Sequence, residues 1–516
     1  MSTNPLHIKA GLEPYTQALS RREVSHLLKR TSFGADPEKI NALVGRTAED
    51  VVNELIQFAT DTVANPLPSK PSWADEPMPD RRVATSEEVR TYNENNRFWL
   101  DELTEELLSR FRTGGLRERM TLFWHDHFVT ELEVYELAVY AYRYLNIIRT
   151  NSVGNFREFV RAMGLTPAML IYLNGDANEK SSPNENYARE LLELFTMSPV
   201  DRYGNANYTQ TDVEEAARAL TGWFVNKEAI TTELFTKEFD EGEKTFLART
   251  GTFDYNDVTD VIFDERSFQV ADFICTKLYR AFVFDQPDLE VVQGLADIFR
   301  ENDFEIEPVL STLFKSAHFY DTQIIGAKIK SPADIIVGTL LETGFRPSSD
   351  SLGLLTVYSK DMEQILLDPP DVSGWQGNRA WLSTNTLPTR WSFADYLLFT
   401  GQNNQAIDLI GMASQLPDAE GPLSAFKLPL SIAKHFISVP LEDLDISELD
   451  DTFSGDLNAF PLPQEVLDGP AYAINIAKLF LGDVPWYEWS LEENGANGVL
   501  LNYVQFLMQL PEFQLT

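Results

Sequence analysis

One cysteine, Cys275, is the whole thiol inventory of this 516-residue chain. That excludes an intrachain disulfide and a multi-thiolate zinc site. Cys275 stands in the apolar run 273–278, where a buried, inert thiol is expected rather than a nucleophile. Basic residues are scarce too: 42 Lys and Arg face 79 Asp and Glu, a formal charge of −37. Such a field repels nucleic acid and anionic membrane, so both are set aside as partners. The longest apolar runs, 136–142 and 498–510, are too short or too polar to span a bilayer, and no transmembrane segment is expected. Residues 1–30 lack a basic-then-apolar start with a small-residue cleavage site, so the expectation is a chain not exported on its own signal, or one whose signal is already removed. Several catalytic signatures are missing as well: no Gly-x-Ser-x-Gly, His-Glu-x-x-His or Gly-x-Gly-x-x-Gly occurs. Gly242-Glu-Lys-Thr245 resembles the end of a P-loop, but Glu243 splits the Gly-Lys pair and Lys237 stands where the first Gly belongs. Asp254, Asp257 and Asp260 lack EF-hand spacing.

What is present suffices for a large core: 43% hydrophobic residues with 12% aromatics. The charge is uneven. From His435 to Thr516 fourteen acids accompany a single Lys478, whereas Arg97–Arg161 holds nine Arg and no Lys against ten acids. Solubility or salt adaptation explains the surplus, with a divalent-cation surface as the alternative. Apolar residues recur at helical spacing almost throughout, beginning at Ser20–Arg30 with Ser20 as N-cap. A loop with five prolines spans 62–83. Long helices are expected over 86–112, 116–129, 134–149 and 184–197. Residues 223–253 alternate β-branched and aromatic residues with charges, strongest at Phe235–Phe239, around an Asp240–Gly242 turn. The expected fold is mainly α, a large multi-helix globular fold with this small β insert. Residues 1–402 would form the helical core domain, and 403–516 an acidic helical region packed on it, with helices over 403–413, 426–437, 470–481 and 496–508.

Two segments carry unusual polar density. The first is Phe123-Trp-His-Asp-His-Phe128. On a straight helix His125 and His127 point about 200° apart, so they converge on one ion only if the helix ends or bends there. The bland reading is one histidine hydrogen-bonded in the core and the other at the surface. The second is Pro183-Asn-Glu-Asn-Tyr-Ala-Arg-Glu-Leu-Leu-Glu-Leu194. Here Pro183 suits a first turn, with Ser181 or Ser182 as N-cap. Asn186, Glu190 and Glu193 fall along one flank, and a Glu pair three apart chelates a cation or divides acid and base roles. The bland reading is i,i+4 ion pairing of Glu185 with Arg189 and of Arg189 with Glu193. Asn184, Glu185 and Asn186 at the helix start satisfy orphan amides or help hold an anion there. Lys244, after a turn, would meet an anionic group or simply sit at a strand edge. The His125-Asp126 step also invites comparison with phosphohydrolases, which would need His26 and a later Asp to complete the set.

These two segments resemble the bacterial domain of unknown function 1800 family. So do Lys29-Arg30-Thr31-Ser32-Phe33-Gly34, Ala216-Ala-Arg218-Ala-Leu-Thr-Gly-Trp223, Gly326-Ala-Lys328-Ile-Lys330-Ser-Pro332 and Pro369-Pro-Asp-Val-Ser-Gly-Trp-Gln-Gly377. The resemblance covers about residues 20–400, and again the closing Leu510–Leu515. It implies no settled activity. Many members look exported, and they often sit beside genes of the 1501 family of unknown function, which is similar to alkaline phosphatases and sulfatases. A protein of that family is therefore the partner the resemblance implies. The family often has Asn where this chain has Asp126, and often His where it has Phe195 and Phe239, so a metal site built on those two histidines lacks them here.

Two functional expectations follow. One is an acid/base or metal-assisted hydrolase acting on an extracellular polymer or an anionic small molecule, with a divalent cation as cofactor. His125 or His127 would be base or ligand, and Glu190 and Glu193 ligand or acid. Arg30 and Arg189 would clamp an anionic group, in a concave pocket where the two segments converge. The other is a non-catalytic helical scaffold, an assembly or export partner of the neighbouring protein. Its Arg, Glu, Asn and His would form a buried, satisfied network, and its acidic region, 442–456 in particular, would be the interaction surface.

Overall fold

Ser20 and Glu23 exchange side-chain and backbone contacts in a capping box that starts the first helix, Arg21–Thr31. The same device, a short polar side chain taking the orphan amides of the first turn, recurs at Thr85 before the helix Ser86–Thr113 and at Ser331 before the helix Pro332–Glu342. The computed structural model describes residues 10–400, 407–444 and 462–516. Helices dominate them. Their apolar faces merge into one core that runs from Leu19 to Phe513 and draws on residues both before and after 402. The loop 62–83 contains no helix or strand. Among the described residues no helix is long and apolar enough to cross a membrane.

The β insert is two separate antiparallel hairpins. Strand β1 (Trp223–Asn226) pairs with β2 (Thr231–Leu234), and β3 (Lys244–Phe246) with β4 (Arg249–Gly251). The strand expected at 235–239 is absent: Thr236–Glu238 forms a 3-10 turn. The tight turns fall instead where Ile230, Leu247 and Ala248 adopt positive φ, so the alternation at 235–239 is not paired with anything.

Four helices differ from the periodicity. The segment expected to run to Val129 stops at His125, and a turn follows. Residues 134–149 are split by left-handed Glu136 into Leu132–Tyr135 and Ala138–Asn151. The segment 184–197 is one α turn, Asn186–Glu190, continued as a π-helix, Leu191–Met197. Neither Ser181 nor Ser182 caps it, because Ser182 closes a turn back to Glu179 and Lys180 is tied to Glu238 in the insert. Of the helix expected at 403–413, only Leu409–Ser414 falls within the described residues that are helical, and 401–406 lie outside them.

Residues 328–330 are held from behind. Lys330 donates its N–H to the Gln514 carbonyl (2.7 Å), and Thr516 donates to the Lys328 carbonyl (2.7 Å). Arg390 adds two 3.0 Å bonds to the Lys330 carbonyl and one to Gln514 Oε1. This fixes a short extended segment beside the helix Leu116–His125.

Candidate active site

His125 is buried and has both ring nitrogens engaged. Nε2 accepts from the Leu367 amide (3.0 Å), which places the proton on Nδ1, donated to the Tyr144 hydroxyl (2.7 Å). Tyr144 in turn donates to the Phe128 carbonyl (2.9 Å). Burial pushes the His125 pKa down to about 3, so the ring is neutral. His125 therefore pins the loop after Asp361 to the end of its own helix.

His127 points elsewhere, because the helix has ended. Its Nε2–H donates to the Phe195 carbonyl (3.0 Å), and Nδ1 accepts from the Lys277 ammonium (3.0 Å). Burial, then the nearby Lys277 charge, hold it well below the usual histidine range. The two histidines thus serve separate networks. Between them, Asp126 Oδ1 accepts from the Trp375 amide (2.7 Å).

Asp126, His127 and Lys277 line a pocket of about 340 Å³, with Arg119, Arg280 and Lys328 as its further cations. Three stretches of chain that stood out in the sequence meet there: the Trp-His-Asp-His segment, the 326–332 segment through Lys328 and Ser331, and the 369–377 segment through Ser373, Trp375 and Gly377. The fourth wall is the helix Ser267–Phe282, which carries Lys277 and Arg280. Phe123, Trp375 and Trp381 supply apolar surface. Gly374 permits the approach of the loop. It has φ +83°, and a Cβ there would fall 2.3 Å from Asp126 Oδ1.

The electrostatics are unusual for a chain so acidic. Four cationic side chains face three carboxylates, Asp126, Asp285 and Asp334, across the pocket. Arg119 pairs with Asp334, and its guanidinium lies 5.0 Å from the Phe33 ring. Burial raises the Asp126 carboxyl and lowers the Lys277 ammonium, so each is drawn toward its neutral form. Burial, with Arg30 and Arg119 nearby, lowers Lys328 to about 7. Behind the pocket the positive charge continues in buried Lys29, Arg30, Lys330 and Arg390, against Glu342. Arg30 is buried and donates through Nη2 to the Ile324 (3.2 Å) and Thr516 (2.7 Å) backbone oxygens, rather than clamping a ligand at the surface.

The second polar segment lies outside this lining. Glu193 accepts from the Tyr208 hydroxyl (3.2 Å), and Glu190 is half-buried, its carboxyl raised by burial and by Glu193. Arg189 bonds Glu185 (2.8 Å) and Gln210 (3.0 Å) near the surface, the i,i+4 pair of the bland reading. Asn184 caps locally, accepting from the Asn186 amide (3.0 Å). The segments meet through Phe195, just past Leu194, whose carbonyl accepts from His127 and whose ring packs on Phe128, contacts in which neither Glu carboxylate takes part. Lys244 turns its ammonium onto the carbonyls of Asp240 and Gly242 and lies over the Phe239 ring. His26 donates to the Phe319 carbonyl (3.1 Å) and is buried away from the pocket. Among the described residues no group of three or more His, Cys, Asp or Glu is placed to hold a metal ion.

Lys277, Arg119, Arg280 and Lys328 were not singled out by sequence as site residues. A signal existed for two of them: Lys277 is a lone charge in the apolar run 273–278, and Lys328 sits inside a motif.

Residues 26–515 match the family described as Protein of unknown function (DUF1800), and the chain belongs to it. No curated protein and no solved structure matches the chain.

Proposed function

We propose that this protein is an enzyme of acid/base type that takes a small anionic molecule, or the anionic end of a larger one, into the pocket between Asp126 and Lys328. Arg119, Arg280 and Lys328 would hold the anionic group by charge-assisted hydrogen bonds. Asp126 and Lys277 would handle protons, since a carboxyl raised and an ammonium lowered toward neutrality both exchange protons readily near neutral pH. The observation that carries this reading is the convergence of three motif segments on one pocket whose charge is opposite to that of the whole chain. The surplus is one cation, four against three carboxylates, and an anionic ligand would balance it.

In this reading His127 stays neutral and positions Lys277 through Nδ1, in place of the base or ligand role the sequence suggested, and His125 orients the loop that carries Trp375. Glu190 and Glu193 would take part only through a bound divalent cation. Metal analysis of protein purified without chelator tests that, and metal-free protein with full activity removes it. A hydrolase acting on a phosphate or sulfate ester is one chemistry the pocket accommodates.

The test is calorimetric titration of the full chain with inorganic phosphate and with sulfate. Saturable binding is expected, weakened about tenfold or more in Lys328→Gln through loss of one charged hydrogen bond. Absence of binding, or binding indifferent to that change, rejects the reading.

The scaffold reading rests on a different observation: Lys29 and Glu342 form an ion pair only 3% and 1% exposed, and Arg149 is locked between Glu106 and Glu118. Buried charges that fix helices, Lys29 of the 29–34 motif among them, favour a structural part. Co-purification with a protein of the 1501 family would support it. The stretch 442–456 proposed for that contact lies, from 445 onward, outside the described residues.

A further inference from the structure

We infer that Lys277 is an imine-forming amine, which condenses with the carbonyl group of a small oxo-acid held in this pocket. The inference rests on the reading that the pocket holds an anion, and it adds the functional group that would lie beside that anion.

The geometry around Lys277 is that of a nucleophile rather than of a structural cation. Its Nζ has no carboxylate within ion-pairing distance among the described residues. Its hydrogen-bond acceptor is His127 Nδ1 at 3.0 Å, a nitrogen left bare because Nε2–H is committed to the Phe195 carbonyl. Lysines that lock a fold in this chain do otherwise. Lys29 takes Glu342 at 2.9 Å together with the His435 carbonyl, and Lys244 takes two carbonyls. The stem of Lys277 runs past the Phe273 ring, with Nζ 5.1 Å from its centroid, and Arg280 follows one turn later on the same helix. The Phe273 contact favours the ammonium, but burial and the like charge of Arg280 favour the free amine, the form that attacks a carbonyl. The fall in its proton affinity on burial agrees with this.

The neighbours complete the step. The neutral Lys277 amine adds to the carbonyl carbon, a C–N bond forms, and the ammonium proton of the adduct passes to the former carbonyl oxygen. Asp126, whose Oδ1 already accepts from the Trp375 amide, carries the proton that burial favours. It donates that proton to the hydroxyl, the C–O bond breaks, and water leaves. The products are a protonated imine and the Asp126 carboxylate beside it, so charge and atoms balance. The carboxylate or phosphate of the substrate is held by Arg119, Arg280 and Lys328, which share the pocket.

The test uses the full chain with glyoxylate and cyanoborohydride at neutral pH, followed by mass mapping of the labelled lysines. Carboxymethylation at Lys277 is expected at roughly tenfold or more the rate at exposed Lys237, since each pKa unit of lowering raises the amine fraction about tenfold. Inorganic phosphate should protect Lys277 and leave Lys237 unchanged, and Asp126→Asn should slow the labelling of Lys277. Labelling of Lys277 no faster than Lys237, or insensitive to phosphate, overturns the inference. If Lys328-dependent phosphate binding persists in that case, the anion pocket stands and only the imine chemistry falls. If phosphate binding is also missing, the reading of the pocket fails with it.

Discussion

A Cβ placed on Gly374 would fall 2.3 Å from Asp126 Oδ1 and 2.7 Å from the Asp126 carbonyl oxygen, so the loop carrying Trp375 closes on Asp126 only because residue 374 has no side chain. Gly374→Ala combines left-handed strain with a backbone clash, and it should cost about 2–4 kcal/mol in urea denaturation. Gly377 is the control. Its φ is +68°, but the nearest atom to a Cβ there is 3.9 Å away. Gly377→Ala should therefore cost about 1–3 kcal/mol, the backbone strain alone, since ψ −171° puts Gly377 in a region held almost only by glycine. Equal losses at the two sites would mean the close approach to Asp126 carries no weight.

The buried histidines make the fold acid-sensitive, and the sign follows from their neutrality. Burial lowers His125 to about 3 and His435 to about 4, and His26 and His127 lie well below the usual value. In the unfolded chain each binds a proton as pH falls through about 6.5. The folded state refuses it until far lower pH, so their contribution is complete above about 6.5 and is lost on acidification. Each histidine removes up to about 1.4 kcal/mol per pH unit in that window. Free energies of unfolding measured between pH 7.5 and 5 should fall with a slope of several protons, and His125→Asn should remove one proton from that slope. A flat profile down to pH 5 would contradict the neutral, sealed imidazoles.

Which parts of this were legible in sequence depended on whether local pattern or distant contact decided the outcome. The first helix, its Ser20 cap and the helix at 267–282 follow from spacing alone, and they form as read. The helix end at His125 does not, because the amides of Leu367 and Trp375, some 240 residues away, take up its last side chains. The π-helix at 191–197 has no signal in a 3.6-residue pattern. It is marked by the Thr196 hydroxyl reaching back to the Leu191 carbonyl at 2.6 Å and by the Phe195 carbonyl serving His127. That wider turn departs from the 3.6-residue pattern, while Glu190 and Glu193 stay close enough for Glu193 to raise the Glu190 carboxyl. Asp126 lies between two histidines, the stronger candidate ligands by residue type, and Lys277 follows Cys275 in a run whose apolar pattern reads as core.

Lys29 and Glu342 offer a cleaner measure of the buried charge. Their ion pair is 2.9 Å long, and His435 donates to the Glu342 carbonyl at 2.8 Å. Lys29→Met alone leaves a sealed carboxylate and should cost about 3–5 kcal/mol, whereas Lys29→Met with Glu342→Leu should recover much of that loss. A double-mutant cycle by chemical denaturation checks it. Additive losses would show the two groups to be independent.

The two arginines of the pocket should separate stability from binding. Arg119 holds buried Asp334, whose carboxyl burial works to raise but which Arg119 and Ser331 together hold below the usual range. Arg119→Met therefore strands that carboxylate and should cost about 3 kcal/mol, and it should weaken phosphate binding. Arg280 is exposed and lines the same pocket. Arg280→Gln should change unfolding free energy by no more than about 0.5 kcal/mol, yet weaken phosphate affinity about tenfold, with a shallower dependence of that affinity on salt. The loss of stability at Arg119 follows from the Asp334 contact alone, but a loss of affinity at Arg280 does not, since its side chain is exposed. Should Arg280→Gln bind phosphate as the unaltered chain does, the cations of this pocket would have to be assigned to folding, and the scaffold reading would gain what the enzyme reading loses.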